Sequence, residues 1–549
     1  MELVFLLTID HARTHSFEIV VGRLSTSLEL WSIVLGHQHI ISHSLRRFAV
    51  EFTIDNEPGK SWIHMICISV TPESRQLAKV DILNAARQSD LVELCLDRLL
   101  KEPDVKDLIE SSKKPILVSC RSAENGGSWK GTEDERIQLL RQAILAGPAY
   151  VELDEAAAKK IPRFGKVQRV ISYTSMNRPL HDLEEAFENA GILQADVIKF
   201  TWPTDLLEAA WPLLSVVSQK RAIPVVGLGL GKSGLTFSLL GRKYGSPWIY
   251  AALEKGMEAF VGQPTVSELD DVYRWRQIGP KTRFIAVVGF GLGETMLCKI
   301  LNAGFDTLDL NTRCLPIEFR SVDSIPKMLD ILKIPGVIAT NYASRRVFPI
   351  ASAQDEVSAI SKAGDLYIKR PDGWASHNLI WKTALRLLEE TLGRSGPEDR
   401  PLDRKNVMVV GKGGLAASLA VGIKKRNGLV SICSADDDEG QQIATMADAR
   451  FVPLGKLYDT LVDVLVVASE NLDHGSRKTS ISPTIIRPGM TILDLSSMPA
   501  DSPLIDEARV RGAKIVEPAE VFADYATNLF RSITGQELPP EAFAQGLAE

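Results

Sequence analysis

One lysine lies within an apolar, strand-like segment, where its amine could do chemistry. This residue, Lys199, belongs to the run Ala195–Phe200. An ammonium is costly to bury unless a carboxylate pairs with it, and a desolvated lysine can form an imine with a ketone. The spacing alone favours the simpler interpretation, in which Lys199 forms a structural ion pair with Glu152 or Glu93.

A glycine-rich turn in the last third of the chain could bind a phosphate. The apolar run Val407–Val410 leads into Gly411, Gly413 and Gly414, and an alanine-rich stretch follows. Backbone N–H groups at such a turn can approach the pyrophosphate of a dinucleotide. Asp436 follows the next strand-like run, where a carboxylate accepts hydrogen bonds from a ribose and repels a 2′-phosphate. The cofactor expected there is NAD or NADP, with NAD favoured.

Short β-branched runs alternate with amphipathic, helix-like stretches from Met65 onward. Eight strand-like runs precede residue 260, namely Met65–Thr71, Leu91–Asp97, Pro115–Arg121, Tyr150–Glu155, Val167–Tyr173, Asp196–Thr201, Ile223–Leu228 and Trp248–Leu253. Eight such units predict a (β/α)8 barrel, whose active site lies at the C-terminal ends of its strands. The polar residues near those ends are Glu93, Asp97, Arg121, Glu152, Asp154 and Lys199.

The rest of the chain is predicted to form two further α/β units, the second a Rossmann domain. A helix over Ser267–Trp275 closes the barrel, and the polar segment Ser395–Pro401 links the two later units. Further strands are predicted at Phe284–Val288, Gly336–Thr340, Val407–Val410, Val430–Cys433, Val462–Ala468 and Met490–Leu495. The predicted domains are a poorly defined extension over 1–64, the barrel over 65–270, a substrate domain over 281–392 and a Rossmann domain over 402–540.

The N-terminal extension differs from the rest of the chain. It holds six of the nine histidines and shows no regular pattern of elements. His37, His39 and His43 match no standard metal-site spacing, so no metal is expected. We hypothesise that residues 1–64 are an upstream stretch wrongly included in the coding frame. Detection of Met1 by N-terminal sequencing of the native protein would refute that hypothesis.

Composition excludes several classes of protein. The 549 residues are 45% hydrophobic and 24% charged with a net charge of -6, which suits folded domains and gives no basic excess for nucleic acid. No apolar run reaches the roughly 18 residues of a membrane span. The six cysteines lack Cys-x-x-Cys spacing, which fits a reducing cytoplasm. We expect a cytoplasmic protein with a small-molecule substrate, without nucleic-acid or membrane partners, and leave open whether it is a monomer or a homo-oligomer.

The first half of the chain resembles type I 3-dehydroquinate dehydratase over about residues 65–270. The resemblance is carried by Val92–Asp97, Ser119–Ser122, Gly126-Gly127, Gly131–Arg136, Ser172-Tyr173, Ala195–Lys199 and Gly245–Pro247. It implies that Lys199 forms a Schiff base with the substrate ketone, and that Glu93 and Arg121 hold the substrate's hydroxyls and carboxylate. Glu152 and Gln263 are also expected to bind substrate.

Several positions depart from the pattern of this family. Thr174 stands where the family has its proton-carrying histidine, and a threonine hydroxyl cannot take up a proton near neutral pH. His181 is a poor substitute, because it is better placed to begin a helix. Cys95, Asn125 and Ser238 stand at positions where the family has an arginine, a glutamate and the arginine that anchors the substrate carboxylate.

The last part of the chain resembles the C-terminal domain of shikimate dehydrogenase. Besides the glycine turn, the resemblance is carried by Leu493–Leu495, Ser502–Leu504, Ala508–Ala513 and Phe530–Gly535. It implies NAD(P)-linked reduction, and it makes Gly289–Gly293 a structural turn of the substrate domain. Family positions for a lysine, an asparagine, an aspartate and a glutamine are occupied here by Ser344, Tyr367, His377 and Tyr525.

Together the resemblances predict a bifunctional protein of the shikimate pathway, which serves aromatic amino acid biosynthesis. Its barrel would dehydrate 3-dehydroquinate through a Schiff base at Lys199, and its C-terminal half would reduce 3-dehydroshikimate. The substitutions could impair either activity. The alternative is a catalytically degenerate homologue that binds a metabolite or a protein, as the fungal quinate-pathway repressors do. A third interpretation keeps the imine chemistry of Lys199 but directs it to another ketone.

Overall fold

The structure of the chain is a computed structural model that describes residues 64–99, 103–180, 183–320, 325–340, 351–353, 355–468 and 481–547. The predicted extension lies outside these residues apart from His64, as do the three histidines weighed there as metal ligands. The elements named below belong to the unit Trp62–Glu549. No helix in the described part of the chain combines the length and the apolar character that a membrane crossing needs.

Eight parallel strands form the first sheet, a nearly closed barrel. They are β1 (Met65–Val70), β2 (Leu91–Cys95), β3 (Ile116–Ser119), β4 (Tyr150–Asp154), β5 (Gln168–Thr174), β6 (Val197–Pro203), β7 (Val225–Leu230) and β8 (Trp248–Ala252). The helices between them are α1 (Arg75–Gln88), α2 (Val105–Glu110), α3 (Glu133–Leu145), α4 (Glu155–Lys160), α5 (Leu183–Ile192), α6 (Leu207–Ser218) and α7 (Gly234–Tyr244). The strand order β7-β6-β5-β4-β3-β2-β1-β8 confirms the predicted (β/α)8 barrel, and every predicted run overlaps an observed strand.

Alternate residues of each barrel strand face its interior. On β2, Leu91 packs in the interior cluster, whereas Val92 and Leu94 pack in the layer shared with the helices. On β6, Val197 faces inward and Ile198 outward in the same way. Side chains two residues apart lie on the same face of a strand, so the next inward positions follow directly from these. A charged residue at such a position must find its partner inside the barrel.

A six-stranded mixed sheet follows the barrel. Its strands are β9 (Arg283–Val288), β10 (Thr312–Ile317), β11 (Gly336–Ile338), β12 (Ala351–Ala353), β13 (Leu366–Arg370) and β14 (Gly373–His377), in the order β10-β9-β11-β13-β14-β12. Strand β13 is antiparallel to both neighbours, and the other pairs are parallel. The helices of this unit are α8 (Leu292–Thr307), α9 (Ile325–Ile331), α10 (Glu356–Ser361) and α11 (Ile380–Thr391).

The last sheet has six parallel strands. They are β15 (Asn406–Val410), β16 (Leu429–Cys433), β17 (Arg450–Phe451), β18 (Val464–Val467), β19 (Thr491–Asp494) and β20 (Lys514–Val516). Their order is β17-β16-β15-β18-β19-β20, the 3-2-1-4-5-6 arrangement of a Rossmann domain, as predicted. The helices are α12 (Gly413–Lys424), α13 (Asp437–Met446), α14 (Pro503–Val510), α15 (Pro518–Thr534) and α16 (Pro540–Leu547).

The segment after β8 is less regular than predicted. Instead of one helix over Ser267–Trp275, it contains a π-helical turn over Glu268–Val272 and a separate 3-10 turn over Trp275–Gln277. Arg274 lies between the two turns with φ +53°, a left-handed conformation that interrupts a helix. The indole N–H of Trp275 donates to a backbone carbonyl of α7 at 3.1 Å, so this segment still packs against the barrel.

Replacing Gly227 by alanine should destabilise the barrel. Gly227 follows the inward-facing Val226 on β7, and a Cβ there would lie 2.3 Å from the ring of Phe237 on α7. Because overpacking strains a close-packed core, we expect the free energy of unfolding to fall by about 1–3 kcal/mol in urea titrations. Gly241→Ala is the matched control, since a Cβ there would meet nothing closer than 3.5 Å. Equal stability of the two variants would show that the helix moves aside freely.

Candidate active site

Four charged side chains meet inside the barrel. Glu93 lies on β2, Glu152 on β4 and Lys199 on β6, and Arg121 follows the end of β3. The three strand residues stand two positions beyond an inward-facing residue, so the alternation of each strand directs them to the interior. Their exposed fractions are 0% for Glu93 and Lys199, 4% for Glu152 and 6% for Arg121. The site is therefore closed to water.

Glu152 lies between the two cations of this network. Lys199 Nζ donates to Glu152 Oε2 at 3.0 Å and to Oε1 at 3.2 Å. Arg121 donates from Nη2 to Oε2 at 2.8 Å and from Nε to Oε1 at 3.1 Å. Arg121 Nη2 also binds Glu93 Oε1, and Ser69 Oγ donates to Glu93 Oε2 at 2.6 Å. Two carboxylates and two cations thus form one network without net charge.

The network holds Glu152 and Arg121 in their charged forms in spite of their burial. Burial alone would raise the pKa of Glu152, but the charges of Arg121 and Lys199 outweigh it and hold that pKa well below its ordinary value. Burial would likewise lower the pKa of Arg121, and Glu152 and Glu93 instead raise it well above its ordinary value. Glu152 therefore remains a carboxylate near neutral pH and has no proton to donate.

Aromatic side chains surround the amine of Lys199. Its Nζ lies 4.5 Å from the ring centre of Tyr250 on β8 and 5.9 Å from that of Phe260. Phe260 also lies 5.2 Å from the guanidinium carbon of Arg121. Rings in these positions attract cations, which partly replaces the water lost on burial.

Phe260 belongs to a roof built by three loops above the network. A Cβ added to Gly126, in the loop after β3, would lie 2.7 Å from the Phe260 ring and 2.9 Å from the sulfur of Met176 in the loop after β5. Gly126 also has φ +76°, so a side chain there is disfavoured both by the lack of space and by the left-handed backbone. Because Lys199 is fully buried, a ligand cannot reach it in this conformation.

Gln263 connects the roof to the charged network. Its Nε2 donates to Ser69 Oγ at 3.0 Å, and Ser69 in turn binds Glu93. Its Oε1 accepts a hydrogen bond from the backbone of Ala259 at 3.0 Å. Gln263 thus reaches Glu93 through Ser69, a residue that sequence reasoning missed. The signal for Ser69 was its inward-facing position, two residues after Cys67 on β1.

The other two strand-end carboxylates have structural roles. Asp97 accepts hydrogen bonds from the backbone of Arg121 at 3.2 Å and of Ser128 at 2.9 Å, which fixes the loop that carries the arginine. Asp154 caps α4 and pairs with the buried Arg136 at 2.8 Å. Neither carboxylate contacts Lys199, so the structure separates these two residues from the network.

Two of the four substituted family positions in the second half are engaged within the protein. The hydroxyl of Tyr367 donates to the carbonyl of Gly364 at 3.1 Å, and that of Tyr525 lies 3.5 Å from Thr340 Oγ1. The pKa of His377, at the end of β14, is lowered mainly by burial and to a lesser extent by the nearby cations Arg370 and Lys382. Ser344 and His181 lie outside the described residues.

Asp365 is a buried carboxylate that sequence reasoning missed. Its oxygens accept hydrogen bonds from the backbone of Leu379 at 2.9 Å and of Ile380 at 2.7 Å, at the start of α11. Burial raises its pKa to about 7, although these N–H groups act in the opposite direction. A lone aspartate ahead of β13 has no sequence signature, since its role depends on where α11 packs.

The predicted glycines form the turn between β15 and α12. Gly411 and Gly413 have φ +149° and +79°, conformations that favour glycine. The N–H of Gly413 at this turn donates to Glu439 Oε1 at 2.8 Å. Asp436 is exposed and caps α13, with its Oδ1 accepting from Glu439 N at 3.1 Å.

Sequence comparisons agree with this architecture. Residues 66–280 match the family model of type I 3-dehydroquinase. The chain is 25% identical over 516 residues to the bifunctional 3-dehydroquinate dehydratase/shikimate dehydrogenase of Arabidopsis thaliana, covering 88% of this chain and 84% of that protein. Over most of its length the chain is similar to bifunctional dehydroquinate dehydratase/shikimate dehydrogenases. It is also 21% identical over 496 residues to the shikimate biosynthesis protein AroDE of Chlamydia pneumoniae, covering 87% of this chain and 97% of that protein.

Two solved structures align with the chain to different extents. The dehydroquinate dehydratase and shikimate dehydrogenase of S. pombe AroM covers 88% of this chain and 98% of its own, with 16% identity and a TM-score of 0.38. Shikimate dehydrogenase from Aquifex aeolicus covers 49% of this chain and 98% of its own, with 16% identity and a TM-score of 0.43.

The positions that depart from the dehydratase pattern lie at different distances from the network. Cys95 contacts it, because Arg121 Nη1 points to the Cys95 sulfur at 3.8 Å. Thr174 ends β5, two residues beyond the partner of Lys199 in the strand register. Asn125 binds Ser122 within its own turn, and Ser238 binds a carbonyl of its own helix α7. The last two are therefore satisfied locally.

Asp365 should make stability depend on pH. The folded protein holds this proton with a pKa of about 7, against 3.8 for an ordinary aspartate, so folding is favoured at low pH. We expect this contribution to be complete below about pH 4 and to be lost as the pH rises to about 7. Urea titrations of Asp365→Asn across that range should lack this fall in the free energy of unfolding.

The control for this prediction is Asp372→Asn. Asp372 is exposed in the turn between β13 and β14 and should leave the pH dependence of the wild type unchanged. An Asp365→Asn variant with the same pH dependence as the wild type would contradict the prediction.

Proposed function

We propose that the barrel binds a cyclic keto carboxylate of the dehydroquinate type and forms an imine with it at Lys199. The observation that carries this proposal is the position of Lys199 Nζ, buried and bound to both oxygens of Glu152. The family match over residues 66–280 supports the same substrate class. In this proposal Lys199 both forms an ion pair with Glu152 and acts as the nucleophile.

Charge balance explains why such a network can support imine formation. The lysine ammonium loses one proton, and its nitrogen attacks the ketone carbon to form a C–N bond. The nitrogen then loses a second proton, the ketone oxygen takes up both protons, and the C–O bond breaks to release water and leave a protonated imine. One cation is therefore replaced by another beside Glu152, so the buried carboxylate is paired before and after the reaction.

Glu152, Glu93 and Arg121 have different parts in this proposal. Glu152 accepts hydrogen bonds from Nζ and is next to the proton that must leave before the attack. Glu93 and Arg121 lie beside it and offer a carboxylate and a guanidinium to the oxygen atoms of a substrate. Gln263 adds an amide that already reaches toward Glu93 through Ser69.

The site lacks an evident base to remove a proton from the substrate after the imine has formed. Thr174, at the family's histidine position, cannot take up a proton near neutral pH, and the depressed pKa of Glu152 makes it a weak base. We therefore propose that imine formation is retained and that the step after it limits turnover. The alternative of a non-catalytic binding protein remains an outcome of the test below.

Trapping with borohydride should label Lys199. We expect incubation with dehydroquinate and borohydride to add one reduced ligand mass to the peptide that contains Lys199, detected by mass spectrometry. Lys159→Met, which removes an exposed lysine of the same barrel, should label like the wild type, whereas Lys199→Met should not label. Absence of any adduct in the folded wild type would favour the non-catalytic alternative.

Opening the roof should accelerate that labelling. Phe260→Ala removes the ring above Lys199 and Arg121, so we expect the rate of adduct formation to rise by about tenfold or more if entry limits labelling. Val261→Ala is the matched control, because Val261 is the neighbouring residue and is 86% exposed. Equal rates in both variants and the wild type would mean that the roof opens faster than the imine forms.

For the C-terminal half we propose a nicotinamide dinucleotide site at the turn between β15 and α12, with NAD preferred to NADP. The Rossmann strand order and the conformations of Gly411 and Gly413 support the site. Asp436 supports the preference, since its carboxylate would lie near the 2′-phosphate of NADP. When bound, the nicotinamide would supply hydride transfer.

Titration calorimetry should show tighter binding of NAD than of NADP. One unfavourable contact between like charges is worth on the order of 1–3 kcal/mol, or about ten- to a hundredfold in affinity. Asp436→Ser keeps a side chain that can cap α13 and should reduce this preference. Tighter binding of NADP by the wild type would contradict the role given to Asp436.

A further inference from the structure

The first turn of α12 receives a carboxylate from another helix. The first N–H groups of a helix have no partner within it, and the N-cap residue Lys412 supplies no side-chain hydrogen bond. Gly413 N instead donates to Glu439 Oε1 at 2.8 Å. A negative group of the protein therefore lies where the Rossmann fold normally holds a pyrophosphate.

Glu439 is fixed by its own helix. It lies in the first turn of α13, and its backbone N–H donates to the capping side chain of Asp436 at 3.1 Å. The backbone N–H of Asp436 in turn donates to the buried Ser434 at 3.1 Å. With its backbone held in this way, the partly buried side chain of Glu439 spans the gap between α13 and α12.

A dinucleotide would meet this carboxylate directly. Its pyrophosphate is negative and would approach the first N–H groups of α12, of which that of Gly413 is already occupied by Glu439. Two anions cannot share this donor without a large repulsion, because the site is partly buried and weakly screened. The side chain of Glu439 must therefore leave the turn before a pyrophosphate can bind there.

We propose that Glu439 is a built-in competitor for the pyrophosphate and so sets the affinity of the Rossmann unit for dinucleotides. The proposal rests on the dinucleotide site proposed above. It predicts that Glu439 lowers the affinities for NAD and for NADP by the same factor, because both nucleotides carry the pyrophosphate. That equality separates the role of Glu439 from that of Asp436, which acts on the 2′-phosphate and changes the ratio between the two nucleotides.

Calorimetric titration of the full-length protein with NAD and NADP tests the proposal. In Glu439→Ala we expect the Kd of both nucleotides to fall by about tenfold or more, because a charge-assisted contact no longer has to be broken. Glu439→Gln should give a smaller fall, since its amide keeps a hydrogen-bond acceptor without the charge. Thermal unfolding of each variant checks that the Rossmann unit is intact.

Asp438→Ala provides the matched control. Asp438 is the exposed neighbour of Glu439, so its removal changes the local charge equally without freeing the turn. Its effect on either Kd should stay within about threefold. Unchanged Kd values in both Glu439 variants, with a wild type that binds, would overturn the proposal and leave the dinucleotide site standing. If neither the wild type nor any variant binds either nucleotide, the dinucleotide site fails and this proposal with it.

Discussion

The barrel depends on one constraint, which is that every charge in its water-free interior must have a partner. An unpaired buried ion costs several kcal/mol, so Lys199 and Arg121 can be buried only because Glu152 and Glu93 are buried with them. The alternation of β2, β4 and β6 supplies three of the four groups. The roof of Phe260 excludes water and makes the pairing obligatory.

This constraint explains which parts of the site could be predicted from the sequence. The strands follow from β-branched runs, and a lysine within such a run already requires a carboxylate, which is why the pair with Glu152 was foreseeable. The roof was not foreseeable, because Phe260 lies in a loop without periodicity. Glu439 was hidden for a related reason: its contact with Gly413 joins residues that only the packing of two helices brings together.

The two halves of the chain deal with ligand-binding groups in the same physical way. In the barrel, carboxylates of the protein bind the guanidinium and the ammonium that a substrate would meet. In the Rossmann unit, the carboxylate of Glu439 binds the N–H that a pyrophosphate would meet. A ligand that binds as proposed would replace an internal partner in either half, and its affinity would be the difference between two similar interactions.

A double-mutant cycle on Glu152→Gln and Lys199→Met tests the paired network most directly. The free energy of unfolding is measured for the wild type, both single variants and the double variant. Each single variant leaves the buried network with one unbalanced charge, and the double variant restores the balance. We therefore expect the double variant to lose about 2 kcal/mol or more less stability than the sum of the two single losses. Effects that add to within about 0.5 kcal/mol would contradict the interdependence of the two charges.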